Sequence, residues 1–474
     1  MKAALIHYDV TRNANEAFDA TVMRHVGHMP SIQLLYVAAV LEKAGVEVLY
    51  LDPVAMDLDG PALETRLARF DPDLVGLSVF TFHFHNAVSW VARIKALLPR
   101  ARVILGGVHV GLYPVETLRH IPGADFACAG EAEMVLPGFV ERWNAGRGYE
   151  GLRGLVWRDG DEIRYAGPAG LCRDLDSVPF PARHLIPNHR YYNFISSRRN
   201  YTVLISSRGC PFQCIFCEAQ RSNWRGRSAG NVVAEFAECH NRHGVREIDV
   251  FDICFTADRR RVMDICRMLV ERGLNRDLVW DIRSRVDTID SEMLAVLRKA
   301  GCRRIFYGLE SGNPGILGTL CKKADLALME SVVRMTNAAG IGAFGHFLDG
   351  APGETPETAR QTVEFARRLP LEFAAFHGLV AFPATELYEK HYMPATGRDY
   401  WAEYIASPEP PREPMGRPWT AMTDSEVRRT ARRAMIRFYF RPRQIMRILR
   451  SVKSWDQLWR YAAAAWDMLW TRPA

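Results

Sequence analysis

Three cysteines fall within eight positions of the stretch RGCPFQCIFCEAQ (208–220): Cys210, Cys214 and Cys217, spaced Cys-x3-Cys-x2-Cys. A disulfide framework would leave one thiol over. Thiolate is a soft ligand, so three on one loop suit a transition metal or an iron–sulfur cluster. A cubane cluster has one more iron than this loop has cysteines, which leaves one iron open to an outside ligand. Gly209 before the first cysteine and Pro211 after it suit a tight loop wrapping a compact ligand. Zinc is the competing occupant, and it would usually take a fourth Cys or His close by, which the motif lacks. The chain has ten cysteines. Cys239, Cys254, Cys266 and Cys302 read as single packing thiols of a reduced compartment, so a cytoplasmic location is expected.

The elements that must position such a loop are legible from hydrophobic periodicity. A chain of 474 residues is too long for one core. With 48% hydrophobic and 24% charged residues it is globular in composition. No stretch reaches the ~20 apolar residues of a spanning helix. The N-terminus turns polar too soon for a signal peptide. Across 1–150, short apolar runs at 2–7, 46–52, 73–80, 101–107 and 125–130 alternate with helical patterns at 31–45 and 86–98. This alternation predicts an α/β, doubly wound, Rossmann-like domain. Residues 151–195 are richer in Pro, Gly and Asp and read as a connector. A second alternation follows across 196–390, with strands expected at 201–206, 247–252, 278–284, 303–310, 343–350 and 373–380. Six such units predict a partial (β/α)6 barrel, and the cysteine loop follows its first strand. Residues 391–474 read as a helical, basic, Trp-rich region.

Ligands of such folds bind beyond the C-terminal strand ends. In the first domain those ends carry loops at 8–30, 80–85, 106–111 and 130–133. Gly106 and Gly107 would let backbone approach a ligand closely. His83, His85 and His109 are the imidazoles available at strand ends.

The cysteine spacing resembles the signature of the radical S-adenosylmethionine (SAM) superfamily. WDIRSRVD (280–287), FYGLESGNPGIL (306–317), HFLDGAPGETPET (346–358) and AFPATELYEK (381–390) resemble that superfamily's later strand motifs. The resemblance implies a 4Fe–4S cluster on Cys210, Cys214 and Cys217, with Phe216 near the adenine of SAM. It also implies Glu310 and Ser311 near the ribose or methionyl part, and Arg283 or Arg285 on the neighbouring strand. A salt bridge in the barrel wall is the other reading of these two arginines. Two positions depart from the pattern: Ile253, where relatives often carry a second acidic residue, and Ala384, where they usually carry glycine. The domain ahead resembles the cobalamin-binding domain of cobalamin-dependent radical SAM enzymes. That resemblance implies cobalamin contacts from Ser78, Gly106, Gly107, His109, Gly130 and Glu131. The Asp-x-His-x-x-Gly signature that supplies a lower axial histidine in many cobalamin proteins is absent.

From Val427 to Ala474 there are twelve Arg or Lys against two Asp, a balance of +10 out of a net +7 for the chain. A nucleic-acid footprint usually occupies a whole domain face, so no nucleic-acid partner is expected. Trp455, Trp459, Trp466 and Trp470 fall on one stripe of a helix. Docking of that stripe against the barrel is the favoured expectation. The arginines instead suit peripheral contact with an anionic membrane.

Together the resemblances imply a radical SAM C-methyltransferase that uses methylcobalamin on an unactivated carbon of a lipid or polycyclic, hopanoid-like substrate. The alternative is an oxidative cyclase resembling the anaerobic magnesium-protoporphyrin monomethyl ester enzyme. Either needs a low-potential electron donor such as flavodoxin or ferredoxin. No side-chain acid, base or nucleophile is assigned, because the cofactors carry the chemistry.

Overall fold

The structure is a computed structural model and describes residues 1–8, 27–220, 222–411 and 415–470; most of the loop expected at 8–30 lies outside the described residues. The chain divides into two compact units. Among the described residues, one comprises 1–8, 30–190 and 399–411, the other 27–29, 191–220, 222–398 and 415–470.

In the first unit, β1 (Lys2–Ile6), β2 (Glu47–Leu51), β3 (Leu74–Ser78), β4 (Arg102–Gly106) and β5 (Phe126–Cys128) pair in parallel in the order β2-β1-β3-β4-β5. Helices α1 (Ile32–Lys43), α2 (Gly60–Phe70), α3 (Phe84–Leu97) and α4 (Ala132–Asn144) connect or follow these strands. Ala3, Leu5, Val75, Leu77, Val103 and Leu105 are all buried, as expected of strands covered on both faces. Strand order reverses between β1 and β3, which puts the ligand-binding crevice of this topology at their C-terminal ends. Part of the stretch read as a connector is itself sheet. β6 (Leu155–Asp159) and β7 (Glu162–Tyr165) form an antiparallel hairpin that extends the edge at β5. Gly160, at φ +61°, makes its turn.

The second unit runs β8 (Tyr201–Leu204), β9 (Ser207–Cys210), β10 (Ser222–Gly226), α5 (Ala229–His243), β11 (Glu247–Val250), α6 (Arg259–Glu271), β12 (Val279–Ser284), α7 (Ser291–Lys299), β13 (Cys302–Glu310), α8 (Leu326–Ala338), β14 (Gly342–Asp349), α9 (Pro356–Arg368) and β15 (Phe373–Gly378). Six strands pair in parallel in the order β8-β11-β12-β13-β14-β15. A sheet whose strands follow chain order, with helices between them, is the open barrel that the sequence predicts. Ile248, Ile282, Ile305 and Phe347 pack outward on the helices. Because β14 alternates strictly in burial, Phe344, His346 and Leu348 occupy the opposite, inner face. Near the start of the strands, the fully buried Arg304 donates to Asp281 Oδ2 and to Glu372 Oε1, both at 3.1 Å.

Three helices close the chain: α10 (Asp424–Tyr439), α11 (Pro442–Ser451) and α12 (Trp455–Trp470). A capping box of Thr423 and Glu426 starts α10. At its other end, the Tyr439 hydroxyl donates to Ala374 O and accepts from Ala374 N on β15. On α12 the expected docking of the tryptophans does not occur. Its buried residues are Gln457 and Tyr461, the latter packed near Ile195 and Phe373, and the four tryptophans are exposed. Arg460 explains the orientation: it donates to the carbonyls of Asn193, Phe194 and Ser196, which turns the stripe away. No described helix is long and apolar enough to cross a membrane.

Candidate functional site

In the second unit the cysteine loop is held by a carboxylate from the next strand of the sheet. Asp252, buried just past the end of β11, accepts four hydrogen bonds from the backbone N–H groups and hydroxyls of Ser206 and Ser207. These serines lead β8 into the β9–β10 hairpin. Gly209 sits at φ +82°, and a Cβ there would overlap Asn223 O, so only glycine lets the hairpin close. Cys210 N donates to Ser222 Oγ at 2.9 Å, and Cys217 N donates to Cys214 O at 3.1 Å. Leu387 N donates to Ile215 O, which ties the loop to the closing AFPATELYEK element.

The three thiols are free of disulfides. Cys210 is buried, Cys214 and Cys217 are half-buried. Burial, reinforced by the neighbouring thiols, pushes Cys217 up to about 11; Cys210 is raised for the same leading reason. A site that crowds would-be anions together in this way favours a cationic occupant. Arg285 meets part of that need. Its Nη1 donates to Cys214 Sγ at 3.5 Å, its guanidinium lies 4.0 Å from the centre of the Phe212 ring, and Asp287 holds its Nε and Nη2 at 2.9 and 2.7 Å. A disulfide-free trio of soft donors with an attendant cation fits an iron–sulfur cluster.

Of the two arginines, Arg283 takes the wall reading. It pairs bidentately with Asp249, which also accepts from Tyr201 OH at 3.0 Å, and packs between Phe251 and Phe306. Glu310 closes β13 at φ +62° and accepts from Lys322 Nζ at 2.9 Å, both side chains being buried. A Cβ at Gly308 would strike that pair. Lys322 escaped the sequence reading because it lies between motifs. Ser311 is fully buried and hydrogen-bonds with Thr362 Oγ1 at 3.0 Å; Phe216 is half-buried on the loop. His346 and His377, also missed, meet at 3.3 Å between Nδ1 and Nε2 on adjacent strands. Burial lowers both, His346 to about 3, so both imidazoles are neutral at physiological pH.

The corresponding edge of the first unit uses shape rather than charge. Gly107, at φ +101°, lies so close to β3 that a Cβ would come within 2.7 Å of Val79 O and 2.9 Å of Ser78 Oγ. A Cβ on Gly106 would meet nothing, so the turn is packed on one side and open on the other. His109 is fully buried against Phe84 and Tyr113, its Nδ1 near Thr81 Oγ1 at 3.3 Å, and its Nε2 is without a hydrogen-bond partner. Burial pushes it down to about 3, leaving it neutral. His83 is buried among aromatic rings, and His85 Nε2 hydrogen-bonds Tyr404 O at 3.1 Å. Glu131 accepts from Cys172 N at 2.6 Å, and Gly130 carries φ +131° beside Ala169. An open glycine turn beside an orphaned neutral imidazole fits a large, nearly neutral ligand such as a corrin.

Comparison with known proteins follows the same division. The B12 binding domain family matches residues 20–140, and the radical SAM superfamily matches residues 204–366. An uncharacterized methyltransferase of Pyrococcus horikoshii is 29% identical over 436 residues, covering 90% of this chain and 92% of that one. The anaerobic magnesium-protoporphyrin IX monomethyl ester cyclase of Cereibacter sphaeroides is also 29% identical, over 77% of this chain and 60% of its own. The hopanoid C-3 methylase of Methylococcus capsulatus is 23% identical over 77% of this chain and 69% of its own. The fold matches the cobalamin-dependent S-adenosylmethionine radical enzyme OxsB, with aqua-cobalamin and S-adenosylmethionine bound, at a TM-score of 0.73 and 16% identity, over 98% of this chain and 72% of that one. The chain thus carries a B12-binding domain ahead of a radical SAM domain, and the cofactors that go with these two domains are cobalamin, a 4Fe–4S cluster and SAM.

Proposed function

We propose that this enzyme is a C-methyltransferase that adds a methyl group to an unactivated carbon of a lipid or polycyclic substrate. The observation that supports the reading is that one chain carries both a disulfide-free trio of cysteines beside Arg285 and an open glycine turn at 106–107. When bound, the reduced cluster supplies an electron that splits the sulfonium of SAM, and methylcobalamin supplies the methyl group. The chain's own residues hold, orient and exclude water. Cys210, Cys214 and Cys217 would hold the cluster, and Arg285 keeps positive charge on the Cys214 sulfur. The Glu310–Lys322 pair fixes the end of β13 where the methionyl and ribose parts of SAM are expected. Phe306 and Phe344 give the inner wall an aromatic surface, stacked with His346 at 6.0 and 4.8 Å between ring centres. Two neutral histidines there supply hydrogen bonding without charge, which suits a mostly apolar substrate. Electrons would come from a low-potential donor such as flavodoxin or ferredoxin.

Oxidative cyclisation is the second reading, favoured by the likeness to the protoporphyrin ester cyclase. SAM labelled in its methyl group separates the two under anaerobic reduction. A methyltransferase yields labelled product together with S-adenosylhomocysteine and 5′-deoxyadenosine. Deoxyadenosine with an unlabelled, oxidised product would instead establish the cyclase and overturn the proposal.

A further inference from the structure

The last two helices are inverted with respect to an ordinary surface helix. On α11 the polar side chains face the protein: Gln444 is buried and donates to Glu372 O, and Arg447 donates to Leu371 O, both at 2.7 Å. Of its apolar residues Ile448 packs inward beside them, and the other three face out. Ile445, Met446 and Leu449 are about half exposed, with Arg443 and Arg450 exposed beside them. On α12 the inner face is Gln457 and Tyr461, bonded to each other at 2.8 Å, while Trp455, Trp459, Trp466 and Trp470 are 80%, 72%, 65% and 68% exposed. At ~100° per residue these four lie within about 60° of one another, opposite the buried side. The orientation is fixed. Turning either helix to bury its apolar side would break the bonds of Gln444, Arg447 and Arg460 to backbone carbonyls.

We propose that α11 and α12 are a docking surface for an anionic lipid bilayer. Indoles with an apolar body and one N–H donor settle at the headgroup level, and arginine flanks attract anionic headgroups. The surface lies on a membrane rather than through it, since no described helix is long and apolar enough to cross one. Charge also selects the occupant. Residues 442–470 carry five basic against two acidic residues, with Arg443, Arg450 and Lys453 exposed, so a second copy of the same surface would meet like charge, whereas an anionic bilayer would not. The proposal rests on these helices alone and not on the reaction.

The test is flotation of the full-length protein with vesicles of phosphatidylcholine, alone or mixed with phosphatidylglycerol, in the absence of substrate. The expected result is co-flotation with the mixed vesicles, reduced about tenfold on neutral ones and by high salt. A variant with Trp455, Trp459, Trp466 and Trp470 changed to Ser, and a second with Ile445, Met446 and Leu449 changed to Ser, each lose at least tenfold in bound fraction while keeping the parental melting temperature. Three results overturn the proposal: no flotation of the parent, equal flotation of parent and both variants, or sedimentation showing a dimer that the Ser variants abolish without any vesicle binding.

Discussion

The C-terminal strand edges of the two units solve opposite problems. The edge of the radical SAM unit is fixed by charge: Asp252 clamps the start of the cysteine loop, Asp287 aims Arg285 at Cys214, and Lys322 neutralises Glu310. The edge of the B12-binding unit is fixed by shape: a glycine at φ +101° against Val79 and a buried, neutral His109. Thiolates and a sulfonium need compensating charge held rigidly, whereas a large macrocycle needs an uncluttered concave surface. Two cofactors of different character therefore call for two kinds of edge in one chain.

That contrast can be broken by separating the two loadings. Asp252→Ala removes a buried carboxylate that serves four donors, at a cost of about 3 kcal/mol. Its iron content should fall at least tenfold while cobalamin binding stays within about twofold of the parent. Gly107→Val should do the reverse, losing cobalamin and keeping iron, because its side chain must enter the space of Val79 and Ser78. Iron and corrin assays on the same preparations check both. Joint loss in either variant would make the edges one cooperative structure.

The two arginines sharpen the charged edge. Arg283→Met leaves Asp249 buried without its bidentate partner and should cost about 3 kcal/mol in denaturant unfolding. Arg285→Met should cost less stability and instead shift the reduction potential or EPR signature of the bound cluster. A cluster signal identical to the parent's would remove Arg285 from the site.

A pH series sharpens the neutral edge. The folded unit keeps His109 unprotonated down to about pH 3, whereas an unfolded histidine takes up its proton near about 6.5. The unfolded state binds more protons in between, so stability falls as pH drops below about 6.5, by about 1.4 kcal/mol per pH unit. His109→Leu should flatten that part of the slope in thermal scans from neutral to mildly acidic pH. An unchanged slope would show that the imidazole is protonated in the fold.

The smallest effect concerns strain. Ala384 adopts φ +59° within the closing AFPATELYEK element, a conformation that glycine takes without penalty. Ala384→Gly should stabilise the unit by about 0.5 kcal/mol, visible as a small rise in melting temperature.

Much of this was legible in the chain. Strand periodicity placed the parallel strands of both sheets, and the cysteine spacing placed the loop. The β6–β7 hairpin was hidden because two short strands around Asp159-Gly160-Asp161 resemble loop composition. Arg283 and Arg285 could not be ranked, since residues two apart on a strand share a face; height along β12 decides, with Arg283 bonded to Asp249 on β11 and Arg285 past the end of β12 at the cysteine loop. Lys322 needed a fold to bring it back to Glu310 from twelve residues away. The tryptophan stripe was visible as a stripe, but its direction was not. Apolar residues ordinarily point inward, and only the carbonyls that receive Gln444, Arg447 and Arg460 reveal that these helices are turned the other way.

Everything at the charged edge depends on three sulfurs holding an iron–sulfur cluster that leaves one iron free for SAM. The most direct measurement is reductive SAM cleavage by anaerobically reconstituted protein in which Cys210, Cys214 and Cys217 are changed to Ala one at a time. The account predicts that 5′-deoxyadenosine formation disappears in each variant. Cleavage at the parental rate in any one of them would contradict it.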